Sequence, residues 1–386
     1  MTEAPKLKIL FCILYYLPHR TGMPIYIQRI GQELIRRGHE VTVLAAQHKP
    51  ELPAEEIIDG IRVRRVYAPP IPISRGMLMP AYAWVLYEEL RKHDVVNVHT
   101  PMLETALISI VAQLANRPVI VTHHGDLILP AGITNRVIQS VMYWLYWFTM
   151  QRSPKLVMYS QDYAQNSYYA APFMDKLETV YPPIAIPTPN PQRVAQLRAE
   201  WSPNGGPIIG FAGRFVEEKR PDLLIRALDV INQQHPNVRV VFAGQYDIPY
   251  ENTWERYQPL VEQYKGQLIF LGLIDDAQTL ADFYAACDVL ALTSDTECFA
   301  LVQVEAMLCG TPVMMTDIPG GRVPVQVTGM GKHAQAGDAV AIGETLLEII
   351  NQRDQYVRPR AEIEACFSLK ETVDRYEQLF SRYAHR

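Results

Sequence analysis

The stretch "PIIGFAGRFVEEKRPDLLIRAL", Pro207 to Leu228, decides the fold. Its opening apolar run is too short for a helix and reads as a buried strand that ends at Gly213. Arg214 and Lys219 follow in a loop. Pro221 suits a first helical position, where the amide it lacks has no partner to lose. Strand, loop and helix in this order are the unit from which parallel sheets covered on both faces are built.

The unit recurs downstream through "VRVVFAGQY", "LIFLGLI" and "VLALTS", each followed by a helical pattern. It also recurs upstream. Leu7–Leu14, Glu40–Ala46, Val95–His99, Pro118–Thr122 and Leu156–Tyr159 read as strands, with Ile25–Arg37 and Glu104–Ala115 as helices between strands. The run "YPPIAIPTPNP" (Tyr181 to Pro191), with five prolines in eleven residues, separates the halves. The fold class is therefore α/β, with two Rossmann-like, doubly wound parallel-sheet domains at 1–185 and 207–366. Residues 186–206 are expected to link them. Residues 367–386 form an amphipathic helix expected to cross back to the first domain. A cleft is expected at the carboxyl ends of the strands, where ligands of such sheets bind.

Composition agrees with two ordinary domains: 386 residues, 48% of them hydrophobic. A formal net charge of −5 leaves no basic footprint for nucleic acid. Five cysteines, odd in number and without CxxC spacing, point to reduced thiols in a cytoplasm. The start "KLKILFCILYYLPHR" resembles a leader, but Glu3 lies upstream and no small-x-small cleavage site follows, so a buried first strand is expected. No segment reaches the roughly 20 apolar residues that span a bilayer. The aromatic segment "RVIQSVMYWLYWFTMQR" (Arg136 to Arg152) admits an interfacial helix and peripheral contact with the inner membrane face. Its apolar residues run nearly all round, however, and that favours a buried helix.

In "DTECFALVQVEAMLCGTPV" (Asp295 to Val313), seven residues separate Glu297 from Glu305. Ala300 to Leu308 reads as a short helix with Gly310 as a left-handed cap and Pro312 as a stop. On one reading both acids are incidental, since eight positions put them about 80° apart around a helix. On the other, Glu297 precedes the helix, and the free amides of Cys298, Phe299, Ala300 and Leu301 suit a phosphate. Arg214 and Lys219 could form the cationic half of a diphosphate pocket, or Glu217 and Glu218 could pair with both. Gly22 lies between the first strand and helix, where backbone approaches a phosphate closely. "VTHHGD" ends a strand with His123, His124 and Asp126. Adjacent strand residues point to opposite sides, so at most one histidine faces a ligand. A metal at this trio is the less favoured reading.

Together these features resemble the retaining glycosyltransferases of family 4, the glycosyl transferases group 1, which adopt the GT-B fold. "GHEVTVLA", "VHTP", "VTHHG", "GRFVEEKRPDLLIRAL", "FLGLIDDAQTLADFYAACDVLAL" and "ECFALVQVEAMLCGTPV" stand in the family's order. The resemblance implies a hexosyltransferase that takes a nucleoside-diphosphate sugar as donor and a hydroxyl compound as acceptor, with no metal or other cofactor. It implies that Glu297 binds the donor sugar and Glu305 the ribose. Arg214 and Lys219 would hold the diphosphate with amides 298–301 and Gly22, Ile274 and Asp276 would lie at the base, and His124 beside the transferring sugar. Cys298 departs from the small residue common there, leaving either a shaped pocket or an exposed thiol. "PGGRVPVQ" lacks a glutamate often found after the paired glycines, and "YPPIAIP" replaces the usual linker. A non-catalytic sugar-nucleotide-binding subunit and a sugar-nucleotide epimerase are the rival readings.

Overall fold

The computed structural model describes residues 6–19, 21–69, 72–73, 76–129, 132–248 and 252–384. Glu3 and Arg20 lie outside them. The chain divides into two compact units, residues 1–183 with 369–386 and residues 184–368.

In the first unit the strands are β1 (Lys8–Cys12), β2 (Glu40–Gln47), β3 (Glu55–Ile58), β4 (Ile61–Tyr67), β5 (Pro72–Ile73), β6 (Gly76–Met77), β7 (Val95–Thr100), β8 (Val119–His123), β9 (Leu156–Met158) and β10 (Leu177–Thr179). Its helices are α1 (Gly22–Arg36), α2 (Tyr82–Leu90), α3 (Thr105–Leu114), α4 (Ile133–Arg152) and α5 (Gln161–Asn166). One sheet runs β10-β9-β8-β7-β1-β2-β4-β3, all parallel except the edge strand β3. That strand forms a hairpin with β4 across Asp59–Gly60, with φ +52° and +83°, the two left-handed residues that a type I′ turn demands. Every residue of β7 is buried, as expected for a central strand covered on both faces.

The second unit contains β11 (Ile208–Ala212), β12 (Arg239–Ala243), β13 (Leu268–Gly272), β14 (Val289–Leu292), β15 (Val313–Thr316) and β16 (Gly331–Ala334). They form a parallel sheet in the order β13-β12-β11-β14-β15-β16. Its helices are α6 (Pro191–Trp201), α7 (Pro221–Ile231), α8 (Thr253–Gln263), α9 (Ala277–Ala286), α10 (Leu301–Leu308), α11 (Val323–Thr328), α12 (Ala339–Asn351), α13 (Arg353–Tyr356) and α14 (Arg360–Cys366). Residues 186–206 are therefore not simply a linker. Asn190 caps α6 by accepting from the amides of Gln192 and Arg193, and Pro191 takes the first helical position. The helix then packs on α9 and buries Leu197 and Trp201.

The last helix, α15 (Leu369–Ala384), belongs to the first unit. Its apolar face buries Val373, Tyr376, Leu379 and Phe380, with Phe380 against Phe11 of β1. Its polar face meets the end of α1, where the Arg37 guanidinium donates to Asp374 and Glu377 at 2.6 and 2.7 Å. The Tyr376 hydroxyl joins those of Tyr26 and Thr122 at 2.7 and 3.1 Å.

The aromatic helix α4 is not buried, contrary to the pattern-based expectation. Only Tyr146, Thr149 and Met150 are buried, while Ile133, Val137, Val141, Trp144 and Trp147 face solvent. Apolar residues all round a helix show what it tolerates, not what covers it. Among the described residues no helix is long and apolar enough to cross a membrane.

Candidate active site

In the second unit the strand ends assemble a polar, tightly braced surface. Gly213 follows β11 and Gly244 follows β12, and a Cβ on Gly244 would stand 2.1 Å from the Gly213 carbonyl oxygen. Only glycine permits that backbone contact. The loop after β11 exposes Arg214, whose guanidinium lies 3.5 Å from Glu218. A short 3₁₀ turn, Glu217–Lys219, then presents Lys219.

Lys219 Nζ donates to Glu297 Oε1 at 2.5 Å, and Glu297 also accepts from Ser294 Oγ at 2.9 Å. Glu218 thus lies beside Arg214, while Lys219 takes the acid of the Glu-x7-Glu element. Burial works against the Lys219 ammonium, but the Glu297 charge outweighs it and raises the pKa, so the lysine stays charged. The backbone is fixed around this pair. Thr293 Oγ1 contacts the carbonyl oxygens of Lys219 and Arg220 at 2.9 and 2.8 Å, and the Asp295 amide donates to Glu218 O at 2.9 Å.

Paired glycines close the other side. Glu297 bridges Gly320 in parallel register, and a Cβ on Gly320 (φ +76°) would stand 2.6 Å from the Cys298 oxygen. Helix α10 then begins just after Ala300, its capping residue, which is held at φ +57° and gives no side-chain cap. Its first-turn amides receive nothing from the capping residue, as an anion site requires. A left-handed alanine costs about 1–2 kcal/mol, which the surrounding packing must supply.

The remaining expected residues divide. Glu305 lies half-buried on α10 with the Tyr284 hydroxyl at 3.2 Å. Ile274 and Asp276 follow the edge strand β13, and Asp276 caps α9 by accepting from the Thr279 amide at 2.7 Å. The Phe299 side chain is fully buried against Phe367, which leaves its backbone amide, the group expected from the sequence, as the part that can meet a ligand. The Cys298 thiol is half-buried and not a reactive surface group, because burial and then Glu297 push its pKa up to about 12. Sequence reasoning reaches Gly320 only as one of the paired glycines, and it misses Thr293, Ser294 and Gly244. The glycine after β12 was the one local signal available.

The first unit builds different chemistry at its strand ends. His123 and His124 do diverge. His123 bonds Thr100 Oγ1 at 2.8 Å and Asp126 at 3.0 Å, while His124 bonds Tyr159 and, at 2.7 Å, His99. The histidines and Asp126 therefore do not converge, and among the described residues no group of three His, Cys, Asp or Glu could hold a metal ion. Burial, then His99 and His123, hold His124 well below the usual imidazole value, and burial lowers His99 to about 3. Both rings are neutral at ordinary pH. Gly22 is the exposed first residue of α1.

Comparison with known proteins places these features in context. Residues 194–364 match the family model of glycosyl transferases group 1, and residues 20–186 match that of glycosyltransferase family 4. The chain is 26% identical over 346 residues to a glycosyltransferase of Methanocaldococcus jannaschii, covering 83% of this chain and 84% of that protein. It is 29% identical over 353 residues to a D-inositol 3-phosphate glycosyltransferase of Xylanimonas cellulosilytica, covering 84% and 82%. Among solved structures, Anabaena HepE in complex with UDP and glucose superposes with a TM-score of 0.75 at 20% identity, over 97% of this chain and 98% of that one. Sucrose-phosphate synthase of Thermosynechococcus elongatus gives 0.76 at 20% identity, over 98% and 99%. Both similarities concern the fold.

Proposed function

We propose, from the premise that this chain belongs to the group 1 and family 4 glycosyltransferases and has their GT-B fold, that it moves a hexosyl unit from a nucleoside-diphosphate sugar to a hydroxyl acceptor with retention at the anomeric carbon. The observation that carries the reading is the braced cluster of Arg214, Lys219 and Glu297 beside the uncapped start of α10.

As the glycosidic C–O bond breaks, the electron pair stays on the leaving diphosphate. Arg214 and Lys219 would receive that growing charge, with the amides of residues 298–301 as neutral donors. Glu297 would orient the sugar hydroxyls and Glu305 the ribose. Ile274 and Asp276 would line the base, and Gly22 would let the first unit's backbone meet the phosphates. The acceptor oxygen would attack the same face, and its proton would pass to the departing phosphate. His124, neutral and doubly hydrogen-bonded, would serve as a positioning group by the sugar, not as a base. Lysine, arginine and helix amides suffice for this charge, so no metal or other cofactor enters the proposal. A cytoplasmic location, where donor pools are made, belongs to the same reading.

The test is a transfer assay with UDP-, GDP- and ADP-glucose, reading nucleotide release and the anomeric configuration of the product. Acceptor-dependent release with an α-linked product is expected. An inverted product, or a trapped glycosyl-enzyme adduct, would overturn the mechanism.

A further inference from the structure

The first unit holds a cavity of about 420 Å³, within the range of sites for small organic ligands. It is built by the segments that leave three neighbouring strands at their carboxyl ends: Ile13 after β1, Met102 after β7 and Leu127 after β8. That is where sheets of this class receive ligands. Its fourth wall is α4, through Val137, Val141 and Met142. Polar groups gather along one side, where Tyr15, His19 and Thr21 stand before and at the start of α1. Among the described lining residues there is no lysine or arginine.

We propose that this cavity seats the hydrocarbon part of the acceptor, so that the hydroxyl compound glycosylated by this protein is an amphiphile. The proposal rests on the transferase reading above and names its acceptor class. Two independent features support it. The lining is apolar on three walls, and water within it would find few partners, so displacing that water by methylene groups is favourable. Val137 and Val141 also belong to the exposed stripe of α4. They are 57% and 46% exposed, in line with Ile133 and Trp144 at helical spacing. The wall of the cavity is thus continuous with an apolar surface track, along which a chain longer than the cavity can run. Burial holds the nearby His19 imidazole below its usual pKa, so the polar side faces a headgroup hydroxyl as a neutral hydrogen-bonding partner.

The experiment measures binding of n-alkyl β-D-glucosides, methyl to octyl, below their micellar concentrations, to the full chain by calorimetry. Affinity is expected to rise about fourfold for each methylene until the cavity is filled. Val137→Glu and Val141→Lys alter solvent-exposed positions and leave the core intact. Each should weaken octyl glucoside at least tenfold without changing UDP binding. Equal affinity for methyl and octyl glucoside, or an octyl affinity untouched by both variants, would overturn the proposal. Nucleotide binding without any chain-length effect sinks the cavity alone, whereas a chain-length effect without any nucleotide binding sinks the transferase reading alone. Presenting octyl glucoside as free monomers or in phosphatidylcholine vesicles separates a diffusible amphiphile from a bilayer lipid, and both need the same cavity.

Discussion

The two units share an architecture and differ in what they place at the ends of their strands. The second displays charge: Arg214 beside Glu218, and the Lys219–Glu297 pair fixed by Thr293 and Ser294. The first suppresses it. His99 and His124 are held neutral, three walls of the cavity are apolar, and even Glu104, which follows the lining residue Leu103, has a buried oxygen without a hydrogen bond. A parallel sheet fixes where a ligand binds, and the loops decide which chemistry meets it. A charged donor and a largely apolar acceptor are the pair that this contrast fits.

The largest expected effect tests whether the first unit depends on the last helix. Phe380→Ala should cost about 3–5 kcal/mol, and scanning calorimetry should show the loss in the first unit's transition while UDP binding persists. Next is the charged side. Arg214→Ala should slow transfer about 10²–10³-fold, read as kcat, because one preorganised donor to the leaving group is lost. Near-normal turnover would mean that the cation does not act on the diphosphate.

A third prediction sharpens the neutral side. Burial raises the Glu104 carboxyl from its ordinary 4.5 to about 7, so the folded chain keeps a proton that the unfolded chain releases. The associated stability is full below about pH 4.5 and is lost as pH rises to about 7, by up to roughly 3 kcal/mol. Glu104→Gln should flatten that part of the thermal-stability profile, and an unchanged slope would show that Glu104 is charged in the fold. The smallest effect is at α10. Ala300→Gly should relieve the left-handed backbone and raise stability by no more than about 1 kcal/mol in urea denaturation.

Much of this contrast was legible in the sequence, because local signals carried it. Strand, glycine, cation and Pro221 in a row give the β11–α7 unit, and Gly310 does take its left-handed cap at φ +84°. The alternation of His123 and His124 follows from strand geometry alone. The hairpin at Asp59–Gly60 and the helix behind Asn190 and Pro191 had equally local signals, overshadowed by the parallel pattern and by the prolines of 182–189. Other features had no local signal. The packing of Tyr26, Thr122 and Tyr376 joins positions far apart in the chain, as does the clasp of Thr293 on Lys219. The exposure of α4 depends on what the fold leaves uncovered, which hydrophobic periodicity does not record.

The central claim is that the Arg214–Lys219 surface holds a nucleoside diphosphate. Isothermal titration of UDP, GDP and ADP against the wild type and the Arg214→Ala/Lys219→Ala double variant tests it most directly. The account predicts that one nucleotide binds the wild type tightly and that the double variant, still folded, loses at least a hundredfold in affinity. Equal affinity for both proteins, or no nucleotide bound by either, would contradict it.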